Sequence, residues 1–395
     1  MTNKESWLLP EGIDELMPDE AAQLEKLHRN LIDKMQSWGY QIVVPPLVEY
    51  LDSLLTGTAK TLDIQTFKLI DQLTGRLMGV RADMTPQVAR IAAHKFKHSG
   101  IVRLCYIGSV LHTLPQDQAT SRNPIQLGAE IFGHSGPESD MESIQLMVEL
   151  LMISGAVETL SLDIGHVGIF RGLAGQAQLD AEQEQALFSA LQRKADAEIR
   201  SLLSSFDIHQ DSRDMLIALA ELNGGKDILV RAQAVLKNAP ANVLEALKTL
   251  MHIGEMAQQR LPSVKLNFDL AELRGYHYHT GVVFAAYQPG AAHAIALGGR
   301  YDDIGQEFGL AQPATGFSLD LKKLATQLPI DRQAQPSVIY APWSDDPSLV
   351  SMVESLRQNG EVVSYLFTDE ANPPTGQKIL SKQQGHWVVT ETGMH

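Results

Sequence analysis

One cysteine, Cys105, stands in a chain of 395 residues. A lone thiol cannot close an internal disulfide or supply a C-x-x-C metal or redox pair, so a reducing compartment, the cytoplasm, is expected. Basic residues are also short: 32 Lys and Arg face 47 Asp and Glu, giving a formal net charge of −15 and a pI near 5.3. A field of that sign repels phosphate backbones and disfavours a nucleic-acid partner. Long apolar runs are missing as well, and none approaches the ~20 residues of a membrane span. The N-terminus, Met1-Thr-Asn-Lys-Glu-Ser-Trp7 leading to Glu11-Gly-Ile-Asp-Glu15, has no basic region followed by an apolar run, so no secretory signal is expected. Low-complexity tracts and short-period repeats are lacking too, although residues 175–260 are rich in Ala, Leu and Gln. What remains is 44% hydrophobic and 20% charged, an ordinary globular composition long enough for one large core and a smaller domain.

Leu24, Leu27, Leu31, Ile32 and Met35 recur at helical spacing between Asp19 and Trp38, with Gly39 as the stop. Gln41-Ile-Val-Val-Pro-Pro46 reads as a strand that its prolines end. Thr66–Ile70, Leu77–Arg81, Ile101–Ile107 and Gln126–Phe132 read as further strands, the first two joined by the hairpin-length Asp71-Gln-Leu-Thr-Gly75. Helical patterns cover Ala82–His98 and Glu138–Ser154, and Leu160–His166 is strand-like. Hairpin-linked strands with helices to one side predict an α+β fold on an antiparallel sheet. Leu179–Phe206, Asp211–Leu222 and Asp227–Met256 alternate helix with breakers such as Asn223-Gly-Gly225, which predicts an all-helical insertion over about 170–262. Strands resume at Lys265–Asp269, Thr280–Tyr287 and Ala294–Leu297. Residues 1–328 form the expected main domain, 329–336 a linker, and 337–395 a small α/β domain with strands Val338–Ala341, Glu361–Phe367 and Trp387–Val389 and a helix over Asp346–Gln358.

Four segments place glycine or charge where a plain sheet prefers bulky apolar residues: Arg81-Ala-Asp-Met-Thr85, Gln126-Leu-Gly-Ala-Glu130, Leu273-Arg-Gly-Tyr-His-Tyr-His-Thr-Gly281 and Leu297-Gly-Gly-Arg-Tyr-Asp302. Glycine inside a strand marks close approach of a ligand or another backbone. Asp83 and Glu130 are suited to an ammonium or an imidazole N–H, and the planar fork of Arg274 to a carboxylate or phosphate. An amine at one end and a carboxylate at the other describe an amino acid. Turn glycines and surface charges are the bland alternative, and spacing does not choose between them.

In this order, the four segments resemble the histidine-binding pocket of histidyl-tRNA synthetases, which reads Arg-Pro-Glu-x-Thr, Gln-x-Gly-x-Glu, Arg-Gly-x-x-Tyr-Tyr and Gly-Gly-Arg-Tyr-Asp. Trp38-Gly-Tyr-Gln-Ile-Val-Val-Pro-Pro46 is similar to motif 1 of the class II aminoacyl-tRNA synthetases, and Gly316-Phe-Ser-Leu-Asp-Leu-Lys-Lys-Leu324 to motif 3. The likeness spans about residues 7–328. It implies a class II synthetase-like sheet flanked by helices, dimerising through motif 1. It also implies a histidine site in which Asp83 and Thr85 face the amino group, with Gln126 nearby. Glu130 would face the amine or the ring, Tyr278 would line the ring pocket with His279 beside it, and Arg274 would hold the carboxylate. His277 and His279 replace acidic and aromatic residues of the family.

The departures are concentrated where a synthetase handles phosphate. Charge develops on the α-phosphate during adenylate formation, so arginines and a carboxylate-held metal must be aimed at it. Counted back without gaps from Glu130, the family's Phe-Arg-x-Glu reads Leu111-His-Thr-Leu114 here, so that His112 and Leu114 replace arginine and glutamate. Lys323 stands for the motif 3 arginine and lacks its planar fork. The loop Pro115–Ser121 carries no cation, leaving Arg122, and the C-terminal segment is short and acidic.

Proteins of this kind, like a histidyl-tRNA synthetase but without its phosphate machinery, include the regulatory subunits of short-form ATP phosphoribosyltransferase, and His166-Val-Gly-Ile-Phe-Arg171 extends the resemblance. That family implies a non-catalytic subunit that assembles with a short catalytic subunit as a hetero-oligomer, activates it and mediates histidine feedback. No tRNA partner, cofactor or metal is then expected. A truncated synthetase and a freestanding histidine sensor are the alternatives. His277 and His279 could share one strand face as metal ligands, but no third ligand is evident and a packing role is expected. His166 reads as a satisfied strand-end histidine, and Arg103 and Arg122 as surface charges or anion ligands.

Overall fold

Leu24, Leu27, Leu31 and Met35 form one apolar stripe, and helix α1 (Pro18–Ser37) buries all four in the main core. It ends at Gly39, whose φ of +83° is left-handed and suits glycine. The strand expected over 41–46 shortens to β1 (Gln41–Ile42), since Pro45 and Pro46 have no N–H for a ladder. β2 (Val48–Tyr50), α2 (Leu51–Leu55), α3 (Lys60–Gln65) and the hairpin β3 (Phe67–Ile70) with β4 (Leu77–Val80) follow. β2, β4 and β3 make a small antiparallel sheet. These observations come from a computed structural model that describes residues 8–56, 60–96, 100–115, 121–155, 159–276, 278–290, 293–328, 337–367 and 377–391.

Helix α4 (Thr85–Lys95) precedes β5 (Val102–Ser109) and β6 (Ile125–Phe132), then α5 (Pro137–Ile153) and β7 (Ser161–His166). The segment expected to be wholly helical holds α6 (Val167–Gln176), α7 (Ala181–Gln192), α8 (Asp196–Ser205), α9 (Gln210–Leu219), α10 (Asp227–Val235) and α11 (Ala241–Arg260). It is interrupted by β8 (Asn223–Gly224), which pairs antiparallel with β9 (Lys265–Asp269) at the sheet edge. Nor does the segment keep a core of its own. Val243, Leu247, Leu250 and Ile253 of α11 share one buried cluster with Leu127 of β6 and Leu162 and Ile164 of β7. An apolar helix stripe needs a partner face, and here the sheet supplies it.

β10 (Val282–Tyr287), β11 (Ala296–Arg300), β12 (Ala314–Asp320) and α12 (Leu321–Thr326) complete the first of two compact units, Met1–Leu328. Its main sheet runs β1-β5-β6-β12-β11-β10-β7-β9-β8. The β1–β5 and β7–β9 pairs are parallel and the remainder antiparallel, so the sheet is mixed and not wholly antiparallel as expected. Both parallel pairs join strands separated by helical crossovers, as parallel pairing requires.

The second unit, Pro329–His395, contains β13 (Val338–Pro342), α13 (Pro347–Gln358), β14 (Val362–Leu366), β15 (Lys378–Gln383) and β16 (His386–Glu391). The strand order is β14-β13-β15-β16. Gln384 and Gly385, with φ of +48° and +86°, close the β15–β16 hairpin in a two-residue turn. The Asp346 carboxylate starts α13 by accepting the Ser348 N–H, and also accepts from Lys382 Nζ and Trp387 Nε1. The expected linker, 329–336, lies outside the described residues.

Candidate functional site

Strand alternation turns Leu127, Ala129 and Ile131 into the core and gives the opposite face to Gln126, Gly128 and Glu130. On that face the register sets Gly316 of β12 beside Glu130, and Gly299 of β11 beside Gly316. Two adjacent glycines leave the sheet bare there, and neighbouring side chains occupy the space. A Cβ on Gly316 would lie 1.7 Å from Glu130 Oε2 and 2.5 Å from the Ala129 carbonyl oxygen. One on Gly299 would meet the His279 ring at 2.8 Å. The strand glycines thus let a carboxylate and an imidazole lie against the sheet.

Glu130 is 1% exposed, and hydroxyls surround it. Tyr106 Oη donates to Oε1 at 2.9 Å, Thr85 Oγ1 to the same oxygen at 3.3 Å, and Tyr301 Oη to Oε2 at 2.5 Å. The Tyr278 ring stacks on Tyr301 with centroids 5.1 Å apart, and its buried Oη has no hydrogen-bond partner. Burial pushes the Glu130 carboxyl up to about 8, against the hydroxyl bonds that favour its ionised form. Burial likewise raises the phenols of Tyr106, Tyr278 and Tyr301 well above their ordinary value.

Beside this cage, Gln126 links two elements. Its Nε2 donates to Asp83 Oδ1 at 2.8 Å, while its Oε1 accepts the Met84 N–H at 2.8 Å. Asp83 Oδ1 also accepts the Thr85 N–H. Asp83 and Gln126 line a cleft of about 340 Å³ whose wall includes Val110, Ala296 and Leu297. His112 and Lys323 line the same cleft. His112 is buried and donates Nε2–H to the Ala82 carbonyl at 2.9 Å, which leaves Nδ1 an acceptor without a partner. Lys323 sits at the start of α12, where Asp320 accepts the N–H groups of Lys322 and Lys323. Two of the three positions that depart from the synthetase pattern therefore meet in one cleft. The third, Leu114, is 58% exposed and outside its lining.

The structure brings together Asp83, Thr85, Gln126, Glu130 and Tyr278. Arg274 is not among them. Its guanidinium donates to Glu272 Oε2 at 2.8 Å, lies 5.3 Å from the centre of the Tyr287 ring, and lines a separate cavity with Asp163, Lys194 and Asp269. The carboxylate expected from a ligand is supplied by a residue two positions away. His279 borders the cage: Nδ1–H points to the Arg300 carbonyl at 3.3 Å, and burial lowers its pKa to about 4, so the ring is neutral. His277 lies outside the described residues.

Tyr106 and Tyr301 escape sequence reasoning. Tyr106 sits in the apolar run Leu104-Cys-Tyr-Ile107 and reads as core. Tyr301 belongs to a quoted segment, but only the cross-strand register reveals that it reaches Glu130. Arg300, next to it, is structural: it pairs with Asp140 at 2.9 Å and donates to the carbonyls of His134 and Gly136, stapling the start of α5. Arg103 pairs with Glu142, and Arg122 donates to the carbonyls of His112 and Glu11, so neither is an open anion ligand. His166 Nδ1 accepts the Gly168 N–H as the N-cap of α6. Among the described residues no group of three or more His, Cys, Asp or Glu could hold a metal, and no helix is long and apolar enough to cross a membrane.

Comparison with known proteins gives these features a family. Residues 12–324 match the histidyl-tRNA synthetase family model, and residues 336–390 match the model of the ATP phosphoribosyltransferase subunit HisZ C-terminal domain. An ATP phosphoribosyltransferase regulatory subunit from Nitrosococcus oceani is 57% identical over 92% of this chain and 91% of its own. Its counterpart from Alkalilimnicola ehrlichii is 56% identical over 97% and 96%. Among solved structures, an ATP phosphoribosyltransferase regulatory subunit/histidyl-tRNA synthetase from Bacillus halodurans superposes with a TM-score of 0.82 at 25% identity, covering 93% of this chain and 95% of that one. A histidyl-tRNA synthetase from Nostoc, 20% identical, has the same fold with a TM-score of 0.76, covering 93% of this chain and 88% of that one. A synthetase fold, a cleft without synthetase arginines and a HisZ-type C-terminal domain converge: this chain belongs to the family of ATP phosphoribosyltransferase regulatory subunits.

Proposed function

We propose that this chain is a non-catalytic subunit that assembles with the short ATP phosphoribosyltransferase catalytic subunit, activates it, and carries its histidine feedback. The observation that carries the reading is identity of 56–57% to regulatory subunits over more than nine-tenths of the chain. Its physical counterpart is the asymmetry of one sheet face. The cage around Glu130 is built of hydroxyl donors, while the adjoining cleft offers His112 and Lys323 where adenylate chemistry needs guanidinium groups. A protein that no longer activates histidine can still bind it, and binding regulates when affinity differs between two assembly states.

Histidine is read into the cage with its ring toward Glu130 and Tyr278 and its amino group toward Asp83, Thr85 and Gln126, with His279 beside the ring. For Arg274 to take the carboxylate, it must leave Glu272. A homodimer through the motif 1 region is part of the reading, supported by the exposed apolar side chains Ile42, Val44 and Leu47. The net charge of −15 argues against a tRNA partner. A cytoplasmic location is consistent with the buried lone Cys105, whose thiol burial raises to about 11. Co-expression with the short catalytic subunit is the test. A stable complex with higher phosphoribosyltransferase activity, inhibited by histidine, is expected. Histidine-dependent pyrophosphate exchange by the purified chain would refute the reading in favour of a synthetase, and histidine binding without complex formation would favour a freestanding sensor.

A further inference from the structure

Glu130 is an acid caged by neutral donors. Among the described residues its hydrogen-bond partners are the hydroxyls of Tyr106, Thr85 and Tyr301, from β5, the start of α4 and the residue after β11. Among the described residues, the titratable groups that couple to it most strongly are Tyr40, Tyr106, Tyr278, Tyr301 and Asp83, none of which brings a positive charge. His279, the nearby imidazole, is held neutral by burial and bonded to a backbone carbonyl. A carboxylate ion in such a site has hydrogen bonds but no counter-charge, and desolvation opposes it. A ligand that brings a base into the cage therefore changes the charge state of the site.

We propose that Glu130 takes the histidine ring as an imidazolium and itself supplies the proton, so that binding is strongest near neutral pH and weakens on both sides. This rests on the reading of the cage as the histidine site. In the step, the O–H bond of the Glu130 carboxyl breaks and its electron pair stays on oxygen. The proton forms an N–H bond on the ring nitrogen facing it, converting two neutral groups into a buried ion pair. Tyr106, Thr85 and Tyr301 then stabilise the carboxylate, so they are positioning residues for the transfer.

The proton count follows. The free ring titrates at about 6.5, and burial raises the Glu130 carboxyl to about 8. Between those values the free partners together hold one proton, and so does the complex. Below that window the free partners hold two and binding releases one; above it they hold none and binding takes one up. Affinity therefore drops by roughly tenfold per pH unit on each side of the plateau.

Calorimetric titration of the full chain with histidine, from about pH 5.5 to 9 in buffers of different ionisation enthalpy, tests this. Binding should be strongest around neutral pH with little net proton exchange, and weaken toward pH 9 with uptake approaching one proton. Glu130→Gln should lose the alkaline uptake. Tyr301→Phe, which removes a donor that favours the carboxylate, should move the alkaline limb to higher pH. Affinity that rises steadily from pH 9 down to 6 would mean an ionised Glu130 meeting a solution imidazolium, and flat affinity would mean a ring bound neutral; either overturns the inference and leaves the effector site standing. Absence of histidine binding at every pH removes the effector site and the inference together.

Discussion

The Glu130 cage and the cleft beside it share one face of one sheet, yet they are built on opposite principles. In the cage every oxygen of the buried carboxylate is met by a hydroxyl, and two glycines make room for the neighbouring groups. In the cleft the polar residues are looser: His112 keeps an unpartnered Nδ1, and Lys323 is exposed at a helix start. The cage is a closed network in which hydroxyls constrain one carboxyl group, whereas the cleft is an opening lined by His112 and Lys323. The two meet at Thr85, whose hydroxyl donates to Glu130 and whose N–H donates to Asp83 in the cleft wall.

The sharpest way to break this contrast is Glu130→Ala. It leaves the Tyr301 hydroxyl buried without its acceptor and Tyr106 with Thr85 alone, so a loss of about 2–3 kcal/mol in stability is expected, together with at least about a hundredfold loss of histidine affinity if the paired ring contributes as buried ion pairs do. Unfolding midpoints and calorimetry on the same preparation measure both. Retained affinity would mean that the ring sits elsewhere.

Arg274→Ala sharpens the boundary of the site. Because its guanidinium already has Glu272 and lies in another cavity, histidine affinity should change less than about threefold, as expected for a partly exposed ion pair. A tenfold loss would show that Arg274 leaves Glu272 to hold the ligand carboxylate. The smallest effect belongs to Lys323→Ala, which removes an exposed side chain from the open cleft and should move stability by less than about 0.5 kcal/mol and histidine affinity hardly at all. A clear loss of histidine feedback in the assembled enzyme would give the cleft a role that its loose construction does not foretell.

Legibility in the sequence tracked how local each signal was. Lys265–Asp269 and the hairpin of β3 and β4 read directly, because their apolar patterns and turn residues are contiguous. Gly128 and Gly299 lie on the face that carries Glu130, against the Tyr106 and His279 rings, whereas Gly298 makes room for Phe284 on the opposite, core face, a difference that glycine alone does not announce in the sequence. The two-residue β8 did not read, since Asn223 and Gly224 look like a breaker until β9 offers them an edge. Tyr106 was hidden for the same reason: an aromatic in an apolar strand is indistinguishable from packing until the opposite strand shows what its hydroxyl meets. Arg274 read as a fork suited to a carboxylate, and what spacing did not show is that Glu272, two residues away, already supplies one.

Because α11 and the strands beneath the cage draw on one buried cluster, the helical layer is not an appendage that can loosen by itself. Its amides should exchange with solvent only in the opening that also frees β6 and β7, making the Glu130 face and the helices behind it a single cooperative foldon.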